Sequence, residues 1–191
     1  MLEREKILKI FKETGAMLTG HFLLTSGRHS DRYFQCALVL QHPVHCEALC
    51  RELAARFAGE KVETVVGPAM GGIVISYEVA RRLKARSLFA ERQEGKMILR
   101  RGFAISPGER VLVVEDVTTT GGSVREVIDL VGEAGGQVVG AAVLVDRSGG
   151  EARLGVRTES LLQIPAVSYS PDQCPLCRRG MPFVKPGSRK S

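Results

Sequence analysis

Residues 111–124, Val-Leu-Val-Val-Glu-Asp-Val-Thr-Thr-Thr-Gly-Gly-Ser-Val, run from an apolar β-branched stretch through two acids into a hydroxyl- and glycine-rich turn. Val111 to Val114 carry no polar alternation, the pattern of a parallel strand buried on both faces, and Glu115 and Asp116 fall at its carboxyl end. Ligands of open α/β sheets bind at that end. The turn Thr118-Thr119-Thr120-Gly121-Gly122 offers consecutive backbone N–H groups and three hydroxyls, and Ser123 is placed to cap a helix continuing through Val124, Val127, Ile128 and Val131. Such a turn is a cradle for a phosphate monoester. Two carboxylates beside a phosphate repel it unless a cation or sugar hydroxyls lie between, so the ligand suggested is a phosphorylated ribose, with Mg²⁺ suited to the gap.

Working outward, Val62 to Val66 reads as a second strand, ending at Gly67-Pro68-Ala69-Met70-Gly71-Gly72, with a helix from Ile73 to Leu83. Glycines there let the backbone approach a ligand. If both strands share a parallel sheet, the two turns open on one edge and a diphosphate fits between them. A third strand at Ser87 to Ala90 precedes residues 91–103, polar and with four basic side chains, Arg92, Lys96, Arg100 and Arg101, which read as a cationic hairpin or lid. Strands at Val138 to Val145 and Ser160 to Ile164 flank Asp146-Arg147. Alternating strand and helix make the fold α/β, an open, mostly parallel sheet flanked by helices.

The ends differ from this core. Residues 2–15 show helical spacing stopped by Gly15, a helix runs from about Val44 to Phe57, and short strands at His21 to Leu24 and Tyr33-Phe34 bracket Ser26-Gly27-Arg28, a small hood over the sheet edge. Residues 165–191, with five prolines and a basic end, read as an extended tail. The expected organisation is one domain: residues 1–40 as helix and hood, 44–164 as α/β core, and 165–191 as tail.

With 191 residues and 44% hydrophobic residues, the chain can build a full core. Its five cysteines and the absence of a secretory signal or spanning apolar stretch point to the reducing cytoplasm and no membrane contact. The net charge of +6 is dispersed among acids, and with no Trp and 5% aromatics a stacking platform for nucleic acid is poorly supplied. Attraction of a polyanionic small molecule accounts for the excess charge. No G-x-x-x-x-G-K-[ST] and no G-x-G-x-x-G occurs, which removes P-loop and dinucleotide sites. Cys174-Pro175-Leu176-Cys177 is half a zinc knuckle; with two ligands it reads as a turn of reduced thiols in a packed tail, unless a dimer or residues 42–50 complete it. The spacing of His21, His29, His42 and His45 suggests core or surface roles.

The acid-acid-x-Thr-Thr-Thr-Gly-Gly-Ser pattern resembles the 5-phosphoribosyl-1-diphosphate (PRPP) signature of type I phosphoribosyltransferases. With residues 67–72, 92–96 and 146–147 in this order, the chain resembles the orotate phosphoribosyltransferases over about residues 1–165. The resemblance implies Mg²⁺-dependent transfer of ribose 5-phosphate from PRPP to orotate. It places Glu115 and Asp116 on the ribose, Val117, Thr118, Thr119, Thr120, Gly121, Gly122 and Ser123 around the 5-phosphate, and Arg92 and Lys96 of the lid on the diphosphate. Lys96, Glu115 and Asp116 are the implied catalytic residues, and Thr119, Arg28 and Arg147 the implied orotate contacts. Mg²⁺ is expected on the diphosphate and water, without dedicated protein ligands. A homodimer whose lid reaches the neighbouring site is implied too. The chain departs from the family pattern at Thr25, Met70-Gly71, Gln93 and Ile98, which stand where a hood lysine, a Tyr-Lys pair, a lid lysine and a lid histidine are usual, and Glu115 replaces an Asp. Arg100 and Arg101 are candidates to supply the missing charge. Two readings compete: a phosphoribosyltransferase for a purine or uracil, for which Arg147 would have no carboxylate to bind, and a PRPP-sensing regulator.

Overall fold

β-Branched residues favour the pleated strand, and the 111–118 run forms the centre of the molecule. The computed structural model describes residues 2–24, 27–165 and 167–186. Its six-stranded sheet has the order β5-β4-β3-β6-β7-β8, built from β3 (Thr64–Pro68), β4 (Arg86–Gln93), β5 (Lys96–Leu99), β6 (Arg110–Thr118), β7 (Gln137–Asp146) and β8 (Thr158–Gln163). All neighbours are parallel except β4 and β5, which form the antiparallel hairpin expected for the lid. The strand β6 extends past Val114 through both acids, so Glu115 and Asp116 belong to the sheet's last rungs and not to the turn.

Alternation along β6 divides the core. Leu112 and Val114 face one apolar cluster with Leu53, Phe57, Ile75 and Val79, whereas Val111 and Val113 face another with Val124, Val127 and Val131. The first is covered by α1 (Arg4–Glu13), α2 (Ala37–Leu40), α3 (Pro43–Arg56) and α4 (Gly71–Leu83), the second by α5 (Gly122–Glu133). Each fully buried aliphatic side chain contributes about 1.5–3 kcal/mol, and both faces of the central strands are dry.

The hood is the antiparallel pair β1 (Met17–Leu23) and β2 (His29–Phe34); Thr25 and Ser26 lie outside the described residues. The tail is not simply extended. Strand β9 (Ser168–Tyr169) pairs with β2, a 3₁₀ turn at Pro171–Gln173 leads into α6 (Pro175–Arg178), and Val184 bridges to Phe22 of β1. Prolines at the first positions of both short helical turns cost no hydrogen bond, which is how a proline-rich segment packs in order. The tail thereby becomes the third strand and outer cover of the hood.

Candidate active site

Because β3 and β6 are adjacent and parallel, the turns that follow them are side by side. They touch: a Cβ added to Gly71 would stand 2.6 Å from Cγ of Asp116, so only glycine lets the second turn lie against the acid pair. The Ala69–Met70 peptide in that turn is cis. In the signature turn Gly121 has φ +80°, and a Cβ there would meet Leu154 at 2.6 Å. Gly121 is also the residue before α5, which has no side-chain cap; Ser123 lies inside the first turn, so its expected capping role is not met. The capping site is held by a left-handed glycine, leaving the Ser123 hydroxyl exposed at the pocket.

Residues 117–124 line a cavity of about 240 Å³ together with Glu115 and Glu126. Among the described residues, the amides of Thr120 to Ser123 have no backbone acceptor. Free N–H groups at a helix start, with the positive end of the helix dipole behind them, attract a phosphate. The cavity thus gathers Glu115 and Val117 to Ser123, while Asp116 is not among its lining residues and stands against Gly71 of the second turn.

Glu115 is 8% exposed, and burial together with the neighbouring Asp116 charge raises its pKa to about 9. Burial also pushes the Asp116 carboxyl up, against the opposing effect of the Val117 amide, which donates to Oδ1 at 2.7 Å. Among the described residues, no basic side chain is hydrogen-bonded to either acid. Two desolvated carboxylates kept apart from cations are stabilised by ligand hydroxyls or by a hard divalent ion. Cys36, buried in the hood-to-core connection, feels the same field: burial first, then Asp116 and Glu115, raise its pKa well above the usual thiol value. Its position beside the acids was not legible in the sequence.

Arg147 follows β7 directly, and its amide donates to the Thr118 carbonyl at 2.8 Å. Its guanidinium is buried, its Nε has no hydrogen-bond partner, and among the described residues it makes no ion pair. The Arg32 carbonyl lies 3.4 Å from one terminal nitrogen and the Phe34 ring 5.6 Å away, both on hood strand β2. Desolvation lowers its pKa. A buried, unpaired guanidinium is costly unless an anion arrives. Asp146 is engaged locally: its carboxylate accepts from the Ser148 amide and hydroxyl and from the Gly150 amide, fixing the loop after β7.

Other candidates are engaged elsewhere. Arg28 is not brought to the pocket; its Nε donates to Ser168 Oγ at 2.8 Å and a terminal nitrogen to the Ser168 carbonyl at 2.7 Å, so it fastens the tail. Arg101 forms a two-pronged contact with Glu91 at 2.8 and 3.0 Å at the base of the lid hairpin. Lys96 pairs with Gln93 at the hairpin tip, beside Arg92. Arg92 meets Glu126 at 2.8 Å, which joins the lid to the wall of the phosphate cavity. Glu126 was missed by sequence reasoning, although the Val124/Val127/Val131 stripe fixes the face on which it stands.

A larger concavity, lined by Glu63, Arg86, Pro107 and Glu109, lies at the opposite edge of the sheet and gathers none of these residues.

Comparison with known proteins agrees with this geometry. The phosphoribosyl transferase domain family matches residues 39–155. The orotate phosphoribosyltransferase of Pelotomaculum thermopropionicum is 68% identical over 189 residues, 99% of this chain and 100% of that protein. A crystal structure of orotate phosphoribosyltransferase from Aeropyrum pernix superposes with a TM-score of 0.66 at 31% identity, covering 82% of this chain and 93% of that one. A Mycobacterium tuberculosis orotate phosphoribosyltransferase solved with inorganic phosphate gives a TM-score of 0.63 at 26% identity, covering 84% and 95%. A phosphate cradle after the central strand, an acid pair above it and full-length similarity of this degree have one common explanation: the chain belongs to the orotate phosphoribosyltransferases.

Proposed function

We propose that this protein transfers the 5-phosphoribosyl group from PRPP to N1 of orotate, giving orotidine 5′-monophosphate and diphosphate. The observation that carries the reading is Arg147, a buried guanidinium whose Nε is unpaired and which, among the described residues, makes no ion pair, one strand over from the phosphate turn. A planar carboxylate is its natural complement, and a purine or uracil carries none.

The 5-phosphate fits the amides and hydroxyls of Thr118 to Ser123, and the ribose hydroxyls fit Glu115 and Asp116. As the bond from C1 to diphosphate breaks and the bond to N1 forms, with N1 giving up its proton to the departing diphosphate or to water, the ribose ring gains positive charge. A buried carboxylate pair stabilises that charge more than it stabilises the neutral ground state, which is the requirement for catalysis. The donor set also suits Mg²⁺ carried in with the diphosphate, which would neutralise the leaving group; Lys96 and Arg92 serve the same end from the lid. Arg147 fixes the base so that N1 faces C1.

The exposed apolar side chains Met70, Val74 and Tyr77 stand on one face at the start of α4, and a second copy of the chain is the proposed cover for them. A homodimer in the cytoplasm fits five free thiols and the absence, among the described residues, of a helix long and apolar enough to cross a membrane.

The test is orotate consumption followed by its ultraviolet absorbance, with PRPP and Mg²⁺ both present and then each omitted. Turnover that needs both supports the reading; binding of PRPP without orotate turnover overturns it in favour of another base or a regulator.

A further inference from the structure

The hood and the tail bring together four side chains that the phosphoribosyl site does not use. His21 of β1, His29 of β2, and Cys174 and Cys177 around α6 each offer one ligand atom, and these atoms all lie within 4.8 Å of one another. His21 Nε2 is 3.5 Å from Cys174 Sγ and 3.8 Å from Cys177 Sγ, and Cys177 Sγ is 3.2 Å from His29 Nδ1. Tetrahedral zinc with bonds of roughly 2.0–2.1 Å to nitrogen and 2.3 Å to sulfur requires ligand separations of about 3.3–3.8 Å. The two imidazole nitrogens, at 2.7 Å, must separate to admit the ion.

The surroundings are those of a metal site. His21 Nδ1 lies 2.7 Å from the Met181 carbonyl, which can only accept, so Nδ1 carries the proton and Nε2 presents its lone pair to the cluster. Three of the four side chains are buried and Cys177 is part-buried. The Phe183 ring covers both imidazoles, at 5.7 and 5.1 Å between centroids. The backbone holds the ligands in place independently of any ion: Val184 donates to the His21 carbonyl, and His29 pairs with Tyr169. The sequence showed half a knuckle at Cys174 and Cys177; the missing half is two histidines more than 140 positions earlier, reached only because the tail returns to the hood.

The geometry points to a structural zinc site, one ion per chain, held by His21, His29, Cys174 and Cys177. Two thiolates and two imidazoles suit Zn²⁺ over Mg²⁺ or Ca²⁺, and four protein ligands leave no open position, so the ion does no chemistry on substrate. Its effect is mechanical. It fastens the tail to β1 and β2, and β2 carries Arg32 and Phe34, the residues that contact Arg147. Loss of the ion loosens the hood over the base and leaves the phosphate turn on β6 unaffected.

The experiment uses the full-length protein, purified without chelator or affinity metal, for elemental analysis. About one zinc per chain is expected. Protein stripped by a chelator under reducing conditions is then titrated with Co²⁺, which reports four-coordinate sulfur and nitrogen ligation by its visible d–d bands and a sulfur charge-transfer band. Saturation at one Co²⁺ per chain, reversal by Zn²⁺, and a fall in Tm of roughly 10 °C on stripping that zinc restores would bear the proposal out. Cys177→Ala and His29→Gln should each lose the Co²⁺ spectrum, and Cys46→Ser, on α3, should keep it. Protein that arrives without zinc and gives no tetrahedral Co²⁺ spectrum overturns the site, as does a spectrum that survives both ligand variants. The titration on unmutated protein decides the matter even if a variant does not fold.

Discussion

The Arg147 amide donates to the Thr118 carbonyl at 2.8 Å, so the proposed base contact and the first hydroxyl of the proposed phosphate cradle belong to one hydrogen-bonded rung between β6 and β7. In the proposed reaction both ends of the nucleotide product are therefore measured from the same sheet edge. Motion of the hood or lid can open and close the site without changing the distance between phosphate and base anchors. Rigid elements hold such constellations better than loops do.

Arg147→Ala tests the base anchor. Removing one partner of a desolvated, charge-assisted pair costs about 2–5 kcal/mol, so kcat/KM for orotate should fall by roughly 30-fold to several thousand-fold. The KM for PRPP should change by less than about threefold. Since the free protein buries this guanidinium with its Nε unpaired, the variant should melt no lower than the parent. Parallel losses for orotate and PRPP would contradict the assignment.

The acid pair makes the opposite trade. The Glu115 pKa is raised to about 9, so the folded state holds its proton from the usual carboxylate range up to about pH 9 while the unfolded state has released it. The folded state then binds more protons, and the contribution of Glu115 to stability, complete at low pH, is lost as pH rises through 9. Asp116, also shifted up, acts in the same direction. Glu115→Gln should flatten the decline in Tm between about pH 5 and 9 and stabilise the free protein by on the order of 1–2 kcal/mol. Its kcat should fall by about 100-fold or more, because an amide, unlike the Glu115 carboxyl, cannot give up a proton and face the developing ribose charge as an anion. Tm against pH for both proteins, with kcat at one pH, checks both halves.

Much of this site was legible in the sequence because its determinants are local. Val111 to Val114, the two acids and the Thr/Gly/Ser turn are consecutive, and the unbroken apolar run already implied a strand with two buried faces. Other features depend on what the fold brings together. Ser123 was misjudged as the cap because a left-handed glycine does the same work without leaving a side-chain signal. The resemblance implies a base contact for Arg28, whereas in this structure its partner is Ser168, 140 positions away. His21 and His29 carry no motif spacing, and their relation to Cys174 and Cys177 exists only once β9 has paired with β2.

Gly71→Ala probes the contact between the two turns. The added methyl would press on the Asp116 carboxylate, and either the acid or the turn must move. Overpacking of this kind costs about 1–3 kcal/mol. If Asp116 moves, kcat should fall by about tenfold or more with a smaller change in Tm. Gly95→Ala makes a useful comparison, as nothing lies within 4 Å of its added Cβ, although its φ of +84° adds strain at the lid tip.

The Arg92–Glu126 ion pair joins the lid hairpin to the cavity wall, and in the proposed reaction the diphosphate of PRPP takes Glu126's place on Arg92. Arg92 and Glu126 are both about 40% exposed in their side chains, so the contact is worth no more than about 1 kcal/mol and is screened by salt. That weakness suits a latch: Arg92 can leave Glu126 for a diphosphate at little cost, and Glu126 otherwise stands as an anion in the wall of the phosphate cavity. Glu126→Gln should lower the KM for PRPP by about two- to fivefold at low ionic strength, and the advantage should shrink as salt rises. Arg92→Ala should raise that KM and lower kcat. In Arg92→Ala, the further change Glu126→Gln should still help, by removing repulsion alone, but by less than in the parent. Equal gains in both backgrounds would show that the two residues act separately and that the observed pair does not restrain the lid.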